Sequence, residues 1–207
     1  MVSTCFLFSM KGKTMKIQIS SEDFYIQLMN LEENKETLKK AIWKPFLNLA
    51  AVICVRQRSC YFLLPKYALE SLKKTEEELF KMAEKNVFDS TDTVFDTLGH
   101  MLYGFSGPYD IMYVLTNTDS TLGASKIMDS NQLNRIADIF EDDLLILPSS
   151  IHECMIVPAG SEDGDVEWLR KTLEDVNKKV VKPKDYLADT VYYYNRHTKK
   201  ITVKENE

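Results

Sequence analysis

An α+β fold, a mostly antiparallel sheet with helices packed on it, is what this 207-residue sequence predicts. Three observations carry the prediction. Strand-like apolar runs come in pairs joined by short polar stretches, the mark of hairpins rather than of parallel crossovers. Segments with helical apolar spacing fall in clusters instead of alternating strictly with the strands. The composition is 44% hydrophobic and 28% charged with seven Gly and six Pro, which suits one globular core and leaves no linker or low-complexity tract.

Taken in chain order, residues 5–8 are apolar but too few for a signal segment. With Met10 and Met15 as alternative starts, residues 1–14 are expected to be a disordered leader before a single domain over 15–207. Residues 16–19 and 24–29 are extended in character and open the sheet. Residues 32–41 read as a short surface helix. Residues 47–55 and 60–64 are apolar around a polar 56–59, a hairpin at the sheet centre that Pro65 ends. Residues 67–72 make a short helix. Thr75 with Glu78 three positions on is a capping box for the next, whose apolar stripe is Leu79, Met82 and Ala83. Ser90 or Thr91 is expected to cap a third helix running through Val94, Phe95, Leu98 and Leu102. Gly104, Gly107 and Pro108 mark a turn, and residues 111–115 a strand. Ser130 is expected to cap a helix with Leu133, Ile136, Ala137 and Phe140 on one face. Residues 144–147 and 151–157 read as paired buried strands with a bend at Pro148. Asp165 caps the last long helix, and residues 191–194 and 201–203 form a terminal hairpin.

The densest run of reactive residue types is Pro148-Ser149-Ser150-Ile151-His152-Glu153-Cys154. Were it extended, Ser150, His152 and Cys154 would share one face at roughly 7 Å spacing. The sharp reading is a nucleophile and base, with Ser150 or Cys154 activated by His152. The plainer one is a polar bend whose hydroxyls satisfy backbone groups. Neither a nucleophile elbow nor a phosphate loop is present. His152-Glu153 lacks the second histidine of a zinc helix, so no metal and no cofactor are expected. Tyr192-Tyr193-Tyr194 reads as an edge strand exposing at least one ring, a candidate binding anchor. Thr116 and Asn117 are the other binding candidates, at the end of the preceding strand.

Several stretches together resemble an uncharacterised clostridial family of unknown function, DUF5688. They are Leu28-Met29-Asn30 with Glu33-Asn34, residues 82–86, Met112-Tyr113-Val114-Leu115-Thr116-Asn117, Gly123-Ala124, residues 146–153, Val176-Asn177, and residues 189–194 before Arg196. Order and spacing agree from about Asp23 onward. The resemblance implies an intracellular domain with no accepted activity, common in gut bacteria and their mobile elements. Its members usually carry an aliphatic residue at the position of Cys154, which leaves Ser149, Ser150, His152 and Glu153 as the candidate catalytic set.

Charge narrows the partners. Lys and Arg total 26 against 31 Asp and Glu, a net charge of −5. The basic residues are interleaved with acids along helices, so direct binding of duplex nucleic acid is not expected. No run approaches a membrane span. Four cysteines without metal or disulfide spacing point to reduced thiols in the cytoplasm, although Cys54 and Cys60 flank a turn and would face each other there. The expected function is that of a non-enzymatic module, monomer or homodimer, that docks a protein partner, as a product of a phage or mobile element acting on a host would. The alternative is a hydrolase or transferase using residues 149–153.

Overall fold

The central strands are apolar at successive rather than alternate positions, which requires cover on both faces of each sheet. That cover is present in the structure, a computed structural model describing residues 4–10, 13–57, 60–105, 107, 111–161 and 165–204. Side chains are described from Gln18 onward, Ser90 excepted.

Strands β1 (Thr4–Met10) and β2 (Lys13–Ile19) pair as an antiparallel hairpin. The leader expected over residues 1–14 falls on this hairpin, and residues 1–3 and 11–12 lie outside the described residues. A four-stranded sheet follows. Its long strand β5 (Leu49–Gln57) pairs on one side with β3 (Phe24–Asn30). On the other side it pairs with β4 (Trp43–Phe46) and then with β6 (Cys60–Leu63). Pro45 sits in β4 at the sheet edge, where the missing N–H costs no ladder bond. The short helix α1 (Lys35–Leu38) covers the outer face of this sheet through Leu38. Cys54 lies opposite Leu63 and Cys60 opposite Gln57, so the two cysteines do not face each other as expected.

Helices α2 (Ala68–Leu72) and α3 (Glu76–Val87) come next. The capping box at α3 is formed: the Thr75 hydroxyl accepts from the Glu78 N–H, and the Glu78 carboxylate accepts from the Thr75 N–H at 2.8 Å. The third helix expected through Val94 to Leu102 is replaced by a 3-10 turn (Ser90–Asp92), strand β7 (Val94–Thr97) and helix α4 (Leu98–Tyr103). Val94, Phe95 and Thr97 favour extended backbone, and Phe95 stacks on Tyr113 of the neighbouring strand with ring centroids 5.2 Å apart. Thr97 then caps α4 by accepting from the His100 N–H.

The second sheet has six strands. In order they are β12 (Lys200–Val203), β11 (Tyr192–Asn195), β9 (Leu144–Leu147), β10 (Cys154–Pro158), β8 (Tyr113–Thr116) and β7. All its pairings among the described residues are antiparallel. On β9, Leu144 and Ile146 enter the main core, and Leu145 and Leu147 enter a second cluster. That cluster is closed by Leu169 and Leu173 of α6 (Val166–Lys179), which Asp165 caps as expected. The main core unites both sheets with α3 and with Leu133, Ile136 and Ala137 of α5 (Ser130–Phe140). Asp129, not Ser130, caps α5, its carboxylate accepting from the Asn131 N–H at 3.0 Å. No helix among the described residues is long and apolar enough to cross a membrane.

Candidate functional site

A loop that dives into a core must satisfy its own backbone polar groups, because water cannot. Residues 148–153 form such a loop. They are not extended: Ile151 and His152 lie in a bend, and the next strand begins only at Cys154. Ser150, His152 and Cys154 therefore do not make the expected row. Ser149 is buried, and its carbonyl accepts from the Leu187 N–H at 3.2 Å. The Ser150 hydroxyl accepts from the His152 N–H at 3.1 Å. The Cys154 Sγ sits against the Ala124 carbonyl at 3.8 Å, and burial pushes its thiol pKa far up. This is the opposite of nucleophile activation.

His152 is held from both sides. Its Nδ1 accepts from the Leu122 N–H at 3.3 Å, and its Nε2 lies 3.5 Å from Asp185 Oδ1. With Nδ1 accepting, the ring proton belongs on Nε2, facing the carboxylate. Neither nitrogen is left to take a proton from a serine. The bond to Leu122 matters because Leu122 has φ 60, a left-handed backbone that costs a leucine about 1 kcal/mol or more. Glu153 is half-buried, and no hydrogen bond or ion pair among the described residues joins it to Ser150 or His152.

Thr116 and Asn117 belong to the same knot. Both are buried. The Thr116 hydroxyl donates to the His152 carbonyl at 2.8 Å. The Asn117 amide donates to the Thr121 carbonyl at 2.8 Å and accepts from the Thr121 N–H at 3.0 Å. Gly123 lies against all of them. A Cβ there would come within 2.3 Å of Thr116 Oγ1, 2.6 Å of the His152 carbonyl oxygen and 2.7 Å of the Asn117 nitrogen. Thr116, Asn117, Gly123 and His152 thus lock β8 to the loop before β10.

A second polar centre, with no expected member, adjoins this knot. The ammonium of Lys126, whose side chain is 1% exposed, lies 3.7 Å from Asp92 Oδ2 and donates to the Asp89 carbonyl at 3.1 Å. Tyr25 donates to the same Asp92 oxygen, and the hydroxyl and N–H of Thr118 donate to the other. Burial lowers the Lys126 pKa, opposed by Asp92, Asp89 and Asp129. Burial would raise that of Asp92, but the bonds from Thr118 and Tyr25 and the charge of Lys126 outweigh it and hold the carboxyl below its usual range. The adjoining cleft of about 490 Å³ includes Arg56, Asp89 and Asp119. There Arg56 pairs with Asp119 at 3.3 Å, and Asp89 accepts from the Thr91 N–H and hydroxyl.

The tyrosine strand is interior. β11 lies between β9 and β12, so it is not the expected edge. Tyr192 and Tyr194 are fully buried, and their hydroxyls donate to Asn48 and to the Ser130 carbonyl. Tyr193 is half-buried and donates to Asp143. The rings of Tyr192 and Tyr194 pack in the core, and that of Tyr193 is the one left partly exposed.

A run of exposed apolar residues lies on and just beyond α4. None of its residues is buried. Leu102, Tyr103 and, one residue beyond Gly104, Phe105 are 62%, 71% and 68% exposed. Three apolar residues in succession, Met101 to Tyr103, cannot all face inward from one helix turn, and that was the sequence signal for this patch. The base of α4 is firmly held. Asp96 accepts from the Thr97 N–H at 2.8 Å with one oxygen and pairs with His100 through the other. Gly104 ends the helix at φ 76, where a residue with a Cβ would be strained.

Comparison with known proteins adds one finding. The model of a family of unknown function, DUF5688, matches residues 8–196. No curated protein and no solved structure matches the chain.

Proposed function

The chain belongs to the family of unknown function DUF5688, and on that premise we propose that it is a non-enzymatic, cytoplasmic module that docks a protein partner through the exposed end of α4. One observation carries the reading: a helix anchored at its base and bare at its tip holds Leu102, Tyr103 and Phe105 in water. Together they present roughly 400 Å² of mostly apolar surface, within the range of functional patches. Covering it contributes about 10 kcal/mol at 25 cal/mol per Å², comparable with the roughly 4–15 kcal/mol of freedom lost on association. The patch is therefore the hot spot of a wider interface, and the partner supplies an apolar pocket for it. The Asp96 and Thr97 contacts preorganise the helix, which lowers the ordering cost of binding. The non-enzymatic part rests on His152, whose two ring nitrogens are both engaged. The cytoplasmic part rests on Cys54 and Cys154, buried as thiols in the core.

The test is the triple variant Leu102→Ser, Tyr103→Ser, Phe105→Ser. It should unfold at the wild-type denaturant midpoint, because none of the three is buried. A protein that the intact chain retains saturably from host lysate should be lost from the variant, and with that protein purified the affinity should fall at least about a hundredfold. Equal retention by the variant would refute the docking surface. A wild-type dimer by light scattering that the variant dissociates would make a second copy of this chain the occupant and overturn the hetero-partner reading.

A further inference from the structure

The last turn of α6 and the segment that returns from it enclose a cleft of about 420 Å³ on a different part of the molecule from α4. It is lined by Glu33, Asn177, Val181, Pro183, Tyr186 and Asp189, together with Lys178. Asn177 is 8% exposed. Its amide nitrogen donates to the Ala188 carbonyl at 3.0 Å and to Asp189 Oδ1 at 2.6 Å. These two acceptors fix the orientation of the amide, since the reverse would set oxygen against oxygen. The Asn177 Oδ1 is left buried with no donor among the described residues. A buried acceptor without a partner is rare and costs about 1–3 kcal/mol.

The cleft that Asn177 lines also holds two carboxylates, Glu33 and Asp189. Glu33 and Asp189 both act on the Tyr186 hydroxyl: burial first, then Asp189, with Glu33 adding to it, pushes the phenol up to about 12. The 14-residue helix α6 points its C-terminal end here, and the partial negative charge of that end favours cations. The ammonium of Lys178, which also lines the cleft, pairs with Glu174 at 3.4 Å. Val181, Pro183 and the Tyr186 ring supply apolar walls beside the acceptors.

We propose that this cleft binds the cationic end of an alkyl chain, a primary ammonium or a guanidinium, with Asn177 Oδ1, Glu33 and Asp189 as acceptors and Tyr186 beside the methylenes. An ammonium brings three donors to these three acceptors, and a guanidinium brings five in a plane. The alkyl stem lies along Val181 and Pro183. The cation comes either as a free diamine or as a lysine or arginine side chain on a peptide, and both offer the same chemistry.

The test is a titration of ¹⁵N-labelled protein followed by its amide spectrum. The probes are 1,5-diaminopentane, Nα-acetyl-arginine methylamide and, as the neutral control, pentan-1-ol. Either cation should shift the Asn177 side-chain amide and the Tyr186 backbone resonance saturably, and pentan-1-ol should not. Glu33 is exposed, so Glu33→Gln should keep the spectrum of the folded protein and weaken cation binding roughly tenfold. Binding of the diamine alone assigns the cleft to free amines, and binding of the arginine derivative alone assigns it to a basic side chain of a partner. The proposal is overturned if neither cation gives a saturable shift, if pentan-1-ol shifts the same resonances equally, or if Glu33→Gln binds as tightly as wild type.

Discussion

Replacing Gly123 with alanine tests the knot at its tightest point. The added Cβ would lie 2.6 Å from the His152 carbonyl oxygen and 2.7 Å from the Asn117 nitrogen, both backbone atoms. Ordinary contact begins near 3.4 Å, so each is overlapped by roughly 0.7–0.8 Å. The Thr116 hydroxyl, at 2.3 Å, would have to rotate away and give up its bond to His152. Overpacking of this kind costs about 1–3 kcal/mol, and the lost buried hydrogen bond adds about 1 kcal/mol. The sum, about 2–4 kcal/mol, is a large part of the total stability expected of such a domain, about 5–15 kcal/mol. At about 2–4 °C per kcal/mol, Tm should fall by about 4–16 °C. Urea unfolding followed by tryptophan fluorescence gives the free energy directly. Gly107→Ala is the control, since a Cβ there meets nothing within 4 Å. A Gly123→Ala midpoint equal to that of Gly107→Ala would refute the close approach of these three segments and the reasoning built on it.

Two further predictions concern the polar groups. His152→Ala removes the acceptor for the strained Leu122 and the partner of Asp185, so it should lose about 1–3 kcal/mol of stability by urea titration; unchanged stability would mean that the ring is not a staple. The Asp92 carboxyl is held below its unfolded value, so the unfolded chain binds the extra proton and the stabilisation is present above the usual carboxylate range. It is lost as pH falls through the folded pKa. In Asp92→Asn the acid limb of the stability–pH curve should be shallower by up to one proton, and at neutral pH the variant should lose about 3–5 kcal/mol because the Lys126 ammonium remains buried without its carboxylate. A variant whose acid limb matched that of wild type would exclude Asp92 as the titrating group.

Local signals were legible where a residue acts on its near neighbours. Thr75 and Glu78 lie three apart and close a capping box; Asp165 caps the helix it precedes; the apolar run of β5 and the polar tip before β6 make a hairpin. Local signals do not suffice where distant residues decide. Val94 and Phe95 satisfy a helical spacing as well as a strand, and the ring of Tyr113, 18 positions on, settles the choice by stacking on Phe95. The tyrosine strand looked like an edge because nothing near it in sequence shows that β9 and β12 flank it. The cleft is the extreme case. Glu33 and Asp189 are separated by most of the chain, and no local pattern announces that both will line one cleft with Asn177.

The residue string that most resembles catalytic chemistry is better explained by burial. A loop running into the core between two buried strands needs short polar side chains to satisfy its backbone, and Ser150, Thr116 and His152 each do so here. The same residue types would serve an active site, so type alone cannot separate the two roles. Partners can: in the knot the hydroxyls of Ser150 and Thr116 and the Nδ1 of His152 are bonded to backbone groups, whereas a nucleophile needs a free hydroxyl beside a free ring nitrogen. The molecule should then show two classes of variant. Changes at Gly123 or His152 should lower stability and impair binding only in proportion to the fraction unfolded. Changes at Leu102, Tyr103 and Phe105 should leave the unfolding midpoint in place and abolish partner binding, and Glu33→Gln should do the same for cation binding alone. Stability and each binding constant, measured on one set of variants, therefore separate residues that make the fold from residues that use it.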